Sequence, residues 1–422
     1  MTDIVGNDST VSQTQKNINN GINVLTIGLG QAGGKMAYAI KKYCSSSDKD
    51  TIVINMSSKD LNAMEIPDAM KMKIGKYEGA GQNRDLSKSL FKDKVEGDYF
   101  ASFLETYGNI LFKENRVIIV PFSTSGGTGS GIGPWFIARL TKHISSFQGT
   151  IMRQMGDGTL TPVDISPRMR PIVIGMAILP SLKSNVEGVK ALQNTLEALK
   201  ELNTLVENKA ISLMLVDNDN SDLSMDKDIA GLYADVNDRI AKTIYRFFKI
   251  FGESDIKSLD LSDRLNALAL PGFTTIYTMN GAHFNKNPFL LPENANFKRL
   301  LAELPETDTV EIKNKLEALL KSRILKYADS RIGFIRTNMA IPENKLTEEE
   351  TYRPIALLSG LDSISKITEP YARRLESLLE KQETMTRTIQ ETGTGFENIN
   401  ATKEKLNKEN KQEISDDLLD SI

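Results

Sequence analysis

Two glycine-rich turns constrain the fold of this chain more than any other feature of its sequence, because each directly follows a short apolar run. The first turn, Gly28–Gly34, reads GLGQAGG and follows Asn23–Ile27, and the second, Ser125–Gly131, reads SGGTGSG and follows Val117–Pro121. Glycine lets backbone N–H groups approach phosphate oxygens without a Cβ in the way, and the N-terminus of a following helix adds positive potential. Two strand–turn–helix units of this kind predict an α/β sheet with a phosphate-binding edge.

Short β-branched runs alternate with helical patterns from Ile22 onward, which is typical of βαβ units and a mainly parallel sheet. The predicted strands of a first, Rossmann-like domain are Asn23–Ile27, Thr51–Asn55, Val117–Pro121, Pro171–Leu179 and Ile211–Val216. Apolar residues at three- and four-residue steps predict a long central helix over 229–251. Runs at Phe273–Met279, Arg331–Ile341 and Pro354–Leu358 then indicate a second, smaller α+β domain.

The predicted organisation runs from a flexible N-terminal segment to a polar C-terminal tail. The N-terminal segment covers 1–21, the domain with the glycine turns 22–228, the central core helix 229–251 and the second α+β domain 252–366. An amphipathic helix follows over 367–391, and the polar tail covers 392–422. The segment Gln148–Arg170 has no periodicity, so it is either a mobile loop or an inserted contact element.

Composition excludes several classes of protein. The chain has two histidines and a single cysteine, Cys44, which excludes a soft-metal cluster and an internal disulfide. A net charge of −3 disfavours direct nucleic-acid binding, so any contact with DNA is expected to run through a partner. Residues 1–20 contain no apolar signal region, and no later stretch approaches about 18 consecutive apolar residues. We therefore expect a cytoplasmic protein without direct membrane contact.

The first glycine turn alone also matches G-x-G-x-x-G, the pattern of a dinucleotide-binding domain. Such a domain needs Asp or Glu about twenty residues on, at the end of its second strand, to hold a ribose. Here that strand ends in Asn55-Met56-Ser57, without an acid, which opposes an NAD-dependent oxidoreductase. A P-loop is excluded, because Leu29 and Met36 stand where that motif requires Gly and Ser or Thr.

The run Gly126–Gly131 resembles the signature loop of the tubulin/FtsZ superfamily, and the other loops of that family occur in the family's order. The matching residues are Gly30, Gln31, Ala32, Gly33 and Lys35 in the first loop, Asn55 in the second, Gly79, Ala80, Gly81 and Asn83 in the third, and Ser125, Gly126, Gly127, Thr128, Gly129 and Ser130 in the fourth. The resemblance implies that these loops hold phosphates, with the third beside the γ-phosphate. Ser125 replaces a usual glycine, and Gln82 and Arg84 alter the third loop.

Further residues match family positions that bind ribose and guanine. Glu187 opens a helix as the family's ribose-binding Glu does, and Asn218 ends a strand as its guanine-reading Asn does. Tyr233 and Asn237 lie near the start of the central helix, where the family stacks an aromatic ring on guanine and reads its edge. Singly, each has an ordinary structural explanation: a core Tyr, an Asp-Asn turn, or an acid at a helix start. Their joint order favours the nucleotide interpretation.

The segment Ser258–Asp263 resembles the loop that family members insert into the nucleotide pocket of the next subunit, where its acids polarise the attacking water. Asp260 is the first candidate for this catalytic role and Asp263 the second. Phosphoryl transfer depends mainly on positioning and charge, so a carboxylate that orients water is sufficient chemistry. The alternative interpretation is a helix N-cap followed by first-turn acids.

The resemblance covers roughly Ile22 to Gly360 and implies a GTPase that polymerises with itself, head to tail. Its ligand would be GTP or GDP, with Mg²⁺ held mainly through phosphates and water and no side-chain metal site. The C-terminus lacks the apolar-basic peptide with which cell-division FtsZ docks membrane adaptors, so the chain is more similar to the plasmid- and phage-borne TubZ branch. That branch segregates DNA through a small DNA-binding adaptor, TubR. An FtsZ-like cell-division GTPase and a regulatory relative that does not hydrolyse nucleotide remain alternatives.

Overall fold

The computed structural model describes residues 22–45, 47–113, 115–154, 159–164, 169–182, 188–218, 229–249, 260–278, 288–305, 309–335, 347 and 353–391. The strands in these ranges are β1 (Asn23–Leu29), β2 (Thr51–Asn55), β3 (Lys71–Lys73), β4 (Arg116–Ser123), β5 (Thr150–Gln154), β6 (Leu160–Asp164), β7 (Ile172–Leu179), β8 (Ser212–Asp217), β9 (Gly272–Thr278), β10 (Ala295–Pro305), β11 (Ile324–Ile335) and β12 (Ile355–Leu361). The helices are α1 (Gly30–Cys44), α2 (Ser58–Asn62), α3 (Arg84–Lys92), α4 (Tyr99–Leu111), α5 (Thr128–Ser146), α6 (Val189–Glu207), α7 (Ile229–Lys249), α8 (Leu261–Leu268), α9 (Thr309–Arg323) and α10 (Ser365–Glu391).

Ten of these strands form one sheet in the order β11-β10-β12-β9-β8-β7-β4-β1-β2-β3. Every neighbouring pair from β3 to β9 is parallel, and β10 is parallel to β11. β12 is antiparallel to both of its neighbours, β9 and β10. The predicted mainly parallel α/β sheet is thus confirmed, and the strands predicted for its first half lie within two residues of their predicted ends.

The sheet continues from the half with the glycine turns into the second half. β8 and β9 pair at Ser212↔Gly272 and Leu213↔Phe273. Gly272 has φ +118, and a Cβ there would lie 2.6 Å from the backbone oxygen of Leu361 on β12. Only glycine fits this junction, because a side chain would clash and the φ value is unfavourable for other residues. The predicted boundary near residue 252 lies outside the described residues, so the division into domains stays a prediction.

Helices cover both faces of the sheet. Successive side chains of a strand point to opposite faces, so apolar strands need a cover on each face. α1, α7 and α8 pack on one face, with Met36, Ile40, Ile240 and Phe248 completely buried. The second face carries the remaining long helices, which contribute buried residues to a separate core cluster: α3, α4, α5, α6, α9 and α10. None of the helices in the described ranges is long and apolar enough to cross a membrane.

Four features differ from the sequence-based expectations. β3 and β10 were not predicted, and β11 begins at Ile324, well before the predicted Arg331. The apolar pattern does not predict β10, because charged residues interrupt it, among them Lys298, Arg299 and Glu303. Part of the segment Gln148–Arg170, expected as a loop or contact element, forms the antiparallel hairpin β5–β6. The predicted central and C-terminal helices are present as α7 and α10.

Candidate functional site

The two glycine turns meet at the carboxyl edge of the sheet. β1 and β4 are parallel neighbours, paired at Leu29↔Phe122, so the turns that follow them lie side by side. Gly30 has φ +70, and a Cβ there would lie 3.0 Å from the backbone nitrogen of Gly129. The first turns of α1 and α5 therefore contact each other at a distance that only glycine permits.

The N-termini of α1 and α5 carry no side-chain cap, and neither does that of α6. The N-termini of α2, α3, α4 and α8 are capped, by the side chains of Ser57, Asn83, Asp98 and Asp260 respectively. An uncapped N-terminus offers backbone N–H groups to another acceptor, and the helix dipole makes this end positive. Two such ends in contact form a site suited to phosphate oxygens.

The predicted third loop, Gly79–Asn83, lies against the second glycine turn. A Cβ at Gly127 would be 2.7 Å from the Cβ of Ala80. Gly79 and Gly81 adopt φ values of +101 and +54. Cβ atoms built at Gly79, Gly81 and Gly126 would meet no described atom within 4 Å. These three glycines therefore border open space beside the uncapped ends of α1 and α5.

Several predicted polar ligands are used to shape the loops. Asn55 Oδ1 accepts hydrogen bonds from the next two backbone N–H groups, at 2.8 and 3.3 Å. Asn83 Oδ1 accepts from the N–H of Leu86 at 3.1 Å and so caps α3. The Ser130 hydroxyl donates to the carbonyl of Gly126. These side chains therefore hold the loops themselves, whereas Lys35 of α1 is exposed.

Glu78 connects the second loop to the third and was not singled out from the sequence. Its carboxylate accepts hydrogen bonds from the backbone N–H of Ser58 at 2.9 Å and from the Ser58 hydroxyl at 3.2 Å. Lys73 Nζ lies 2.6 Å from the same carboxylate. Hydrogen bonds from Lys73 and Ser58 lower the pKa of Glu78. The ionised carboxylate thus ties the residue before Gly79 to the start of α2.

Asn194 of α6 connects the third loop to the second glycine turn. Its side chain is completely buried. Its Nδ2 donates to the carbonyl oxygens of Gln82 and Ser125, both at 3.0 Å. No sequence pattern indicates this contact, because Asn194 occupies an ordinary polar position in an amphipathic helix.

The predicted base-binding residues follow β8 and lie on α7. Asn218 directly follows β8 and is half-buried, as is Asn237 on α7. Buried residues of β8 and α7 belong to one core cluster, which holds the two elements together. The side chain of Tyr233 and the whole of Glu187 lie outside the described residues.

α1 and α7 run side by side from this edge toward the opposite edge of the sheet. α1 begins at Gly30, and about 20 Å further along the helix Tyr43 donates its hydroxyl hydrogen to Asp238 of α7. The ring of Tyr43 also lies 6.2 Å from that of Tyr245. The second half of α7 is therefore remote from the glycine turns.

α8 is attached at this remote end of α7. Arg246 of α7 acts electrostatically on Glu303 of β10, and Arg264 of α8 forms an ion pair with that carboxylate at 3.2 Å. Burial raises the pKa of Glu303 to about 8, against the opposing influence of Arg264 and Arg246. A buried pair of this kind fixes the position of α8 more than it stabilises the fold, because desolvation of the two charges offsets their attraction.

The predicted catalytic acids begin α8. Asp260 Oδ1 accepts a hydrogen bond from the N–H of Asp263 at 2.7 Å, so Asp260 is the N-cap of the helix. The cap interpretation is thus confirmed, and the catalytic role stays a prediction. Asp260 is exposed, and Asp263 pairs with Arg331 of β11 at 2.5 Å. Both acids therefore lie near the end of α7 that is remote from the glycine turns of the same chain. Among the described residues, no cluster of His, Cys, Asp or Glu could hold a metal ion.

Sequence comparison finds archaeal relatives. No protein-family model matches the sequence. The tubulin-like protein CetZ4 of Haloferax volcanii is 26% identical over 267 residues, which cover 59% of this chain and 57% of the relative. The tubulin-like protein CetZ of Methanothrix thermoacetophila is 26% identical over 257 residues, covering 57% of this chain and 60% of the relative. The matches thus span less than two thirds of these relatives.

Solved structures extend the similarity over most of the chain. A two-stranded TubZ-Bt filament superposes with a TM-score of 0.65 at 17% identity, over 89% of this chain and 94% of the other. TubZ of Clostridium botulinum phage c-st gives a TM-score of 0.59 at 14% identity, over 85% and 99%. CetZ of Methanosaeta thermophila gives 0.58 at 21% identity, over 92% and 99%. This chain has the tubulin/FtsZ fold.

The tubulin/FtsZ fold brings the predicted residues together in two groups. The first, second, third and fourth loops converge at the carboxyl edge, joined by the contacts of Gly30, Gly127 and Asn194. Asp260 and Asp263 form the other group, at the remote end of α7. Whether each predicted residue contacts a nucleotide or takes part in hydrolysis stays a prediction.

Proposed function

We propose that this protein binds GTP at the carboxyl edge of its sheet and hydrolyses it between subunits that stack head to tail in a filament. The observation that carries the proposal is the separation of the two groups of site residues. The glycine turns lie at one end of α1 and α7, and Asp260 lies at the other, beyond Arg246 and Arg264. One chain cannot bring both groups to one phosphate, whereas two chains in line can.

Backbone groups would hold the phosphates. The uncapped ends of α1 and α5 and the glycines of the third loop would supply the N–H groups, since the loop lies against the second glycine turn at Gly127. Mg²⁺ would be held mainly through phosphates and water. Asn218, Tyr233 and Asn237 are proposed to bind guanine and Glu187 the ribose. The solved relatives include a GTPγS form of a Bacillus thuringiensis TubZ protofilament and a GDP-bound CetZ1, which supports a guanine nucleotide.

Stacking would place the acids of one subunit over the phosphates of the next. Asp260 is exposed, as a residue that acts on a neighbour must be. A head-to-tail interface uses two different surfaces and does not close on itself, so repetition gives a filament. Structures of TubZ and of CetZ2 are described as protofilaments, which supports this form of assembly.

For the cellular role we favour DNA partition of a plasmid or phage in a bacterial cytoplasm, with a small DNA-binding adaptor similar to TubR. The net charge of −3 supports indirect attachment, because direct binding of the DNA backbone by the protein would need a basic surface. One of the structural relatives is the TubZ of a phage. A different cytoskeletal role, such as one in cell division, would be indicated if the filaments bound no adaptor–DNA complex.

Two measurements test the proposal. GTP or GDP with Mg²⁺ should raise the melting temperature of the protein, and NAD should not, since only a bound ligand stabilises the folded state. Sedimentation over a concentration series should then give pellets that depend on GTP and appear above a threshold concentration. Stabilisation by NAD alone would contradict the nucleotide assignment, and GTP binding without pelleting would contradict the filament.

A further inference from the structure

Asn194 is placed between two loops that are far apart in the sequence. Its Nδ2 donates to the carbonyl of Gln82 in the third loop and to the carbonyl of Ser125 in the second glycine turn, both at 3.0 Å. A third carbonyl, that of Gly126, lies 3.5 Å away. The side chain has a relative exposure of 0%. Water therefore cannot replace these carbonyls as partners of Nδ2.

The chemistry of this position requires an amide. The three hydrogen-bond partners of Nδ2 are carbonyl oxygens, and an amide NH₂ group supplies two donors from one atom. An Asp at this position would place carboxylate oxygens against these carbonyls, and an aliphatic residue would leave both carbonyls without the hydrogen bond that Nδ2 donates. Gln82 also has φ +58, an unfavourable value for a residue with a side chain, so its conformation depends on contacts such as this one.

The same face of α6 anchors the residue that follows the third loop. Arg84 is 2% exposed, and its guanidinium pairs with Glu197 at 3.3 Å and with Glu201. Lys88 pairs with Glu201 at 2.6 Å. Asn194, Glu197 and Glu201 are spaced by three and four residues, so they lie along one stripe of the helix. The third loop is thus held to α6 at Gln82 and again at Arg84.

We propose that Asn194 is a positioning residue that sets the distance between the third loop and the second glycine turn, and with it the preference of the pocket for a nucleoside triphosphate over a diphosphate. The inference rests on the proposed function, in which the third loop lies beside the terminal phosphate. Gly79 and Gly81 of that loop, like Gly126 of the turn, have no described atom within 4 Å of a built Cβ, and the contact of Gly127 with Ala80 holds the loop against the turn. Release of Gln82 would move these N–H groups away from a third phosphate and leave the contacts of the first two in place.

The test compares the affinities of GTPγS and GDP for wild type and Asn194→Asp, measured by competition with a fluorescent GDP. We expect the variant to lose on the order of tenfold more affinity for GTPγS than for GDP, the scale of a lost buried hydrogen bond. Asn203→Asp is the control, because Asn203 lies on the same helix and its Oδ1 accepts from the N–H of Ile364 at 2.7 Å. This control should leave the ratio of the two affinities unchanged.

A purely structural role predicts a lower melting temperature with equal losses for both nucleotides, and that result would overturn the inference. If Asn194→Asp does not fold, Asn194→Ser leaves space for a bridging water and should shift the ratio in the same direction by a smaller factor. An unchanged ratio in Asn194→Ser would also overturn it. Failure of wild type to bind either nucleotide would instead refute the proposed function itself.

Discussion

Arg264 of α8 and Glu303 of β10 form an ion pair of 3.2 Å in which the side chains are 1% and 2% exposed. Arg264 directly follows Asp263, so this pair attaches the helix with the catalytic candidates to β10, the second strand from the edge of the sheet. Arg331, on the edge strand β11, forms an ion pair with Asp263 at 2.5 Å. The position of Asp260 is therefore fixed from two sides.

Removing one partner of this pair should be costly. In Glu303→Leu the guanidinium of Arg264 stays buried without its carboxylate, and we expect a loss of about 3–5 kcal/mol in the free energy of unfolding. Urea unfolding measures this loss. In the double variant Arg264→Met/Glu303→Leu most of the stability should return, because neither charge of this pair is left to desolvate. Equal stability of Glu303→Leu and wild type would show that the pair is not buried in solution.

The exposed ion pair between Lys298 and Asp362 provides a matched control. The two charged atoms lie 2.5 Å apart, but the side chains are 39% and 61% exposed. We expect Asp362→Ala to change the free energy of unfolding by less than about 1 kcal/mol. A loss as large as that of Glu303→Leu would contradict the assignment of the buried pair as the stronger constraint.

Asp98 should make stability depend on pH. It caps α4 through the N–H of Ala101 at 3.2 Å and pairs with Lys94 and Arg139. Desolvation of the carboxyl raises its pKa, but hydrogen bonds from Lys94, Arg139 and Ala101 outweigh this and hold the pKa well below its usual range. A depressed pKa contributes stability above the unfolded-state value of about 3.9, and this contribution is lost as pH falls through the folded-state pKa.

Asp98→Asn isolates that charge, since Asn caps a helix about as well as Asp. We expect the variant to be about 1 kcal/mol less stable than wild type at pH 7. The difference should persist at pH 5 and shrink below about pH 4. Urea unfolding at these pH values measures it. A difference that stays constant down to pH 3 would mean that the charge of Asp98 plays no part.

Alanine substitutions at Gly126 and Gly127 should affect ligand binding and stability separately. A Cβ at Gly127 would be 2.7 Å from the Cβ of Ala80, whereas one at Gly126 would meet no described atom within 4 Å. Gly127→Ala should lose about 1–3 kcal/mol through overpacking. Gly126→Ala should keep wild-type stability within about 0.5 kcal/mol and yet bind GTP at least about tenfold more weakly, because its methyl group enters the phosphate space. Wild-type affinity in Gly126→Ala would contradict the placement of the phosphates.

The half of the fold with the glycine turns was predictable from the sequence because its strands are uninterrupted apolar runs that end in marked turns. Thr51–Asn55 is one example, and its bounds agree with β2. β10 was not predictable, because a glutamate such as Glu303 normally indicates a surface position. Its buried partner, Arg264, lies 39 positions earlier in the sequence. The hairpin β5–β6 carries no alternation of polar and apolar residues.

The candidate site divides in the same way. The contact of Gly30 with Gly129 follows from two parallel neighbouring strands that both end in glycine turns, which the sequence indicates. The role of Asn194 could not be inferred, because its contacts with Gln82 and Ser125 span 112 and 69 positions and depend on how α6 packs. Local patterns thus predict the phosphate loops, and tertiary packing determines how they are held together.

The rate of GTP hydrolysis per subunit, measured across a protein concentration series for wild type and Asp260→Asn, tests the central claim most directly. Asn keeps the cap of α8, so the variant should fold, bind GTP and sediment with it. Glu311→Ala, which removes an exposed acid on α9, serves as the control. We predict that wild-type and control rates rise from near zero to a plateau as filaments form, and that Asp260→Asn hydrolyses at least about 100-fold more slowly at every concentration. A rate per subunit that does not depend on concentration, or wild-type turnover in Asp260→Asn, would contradict a site completed by the neighbouring subunit.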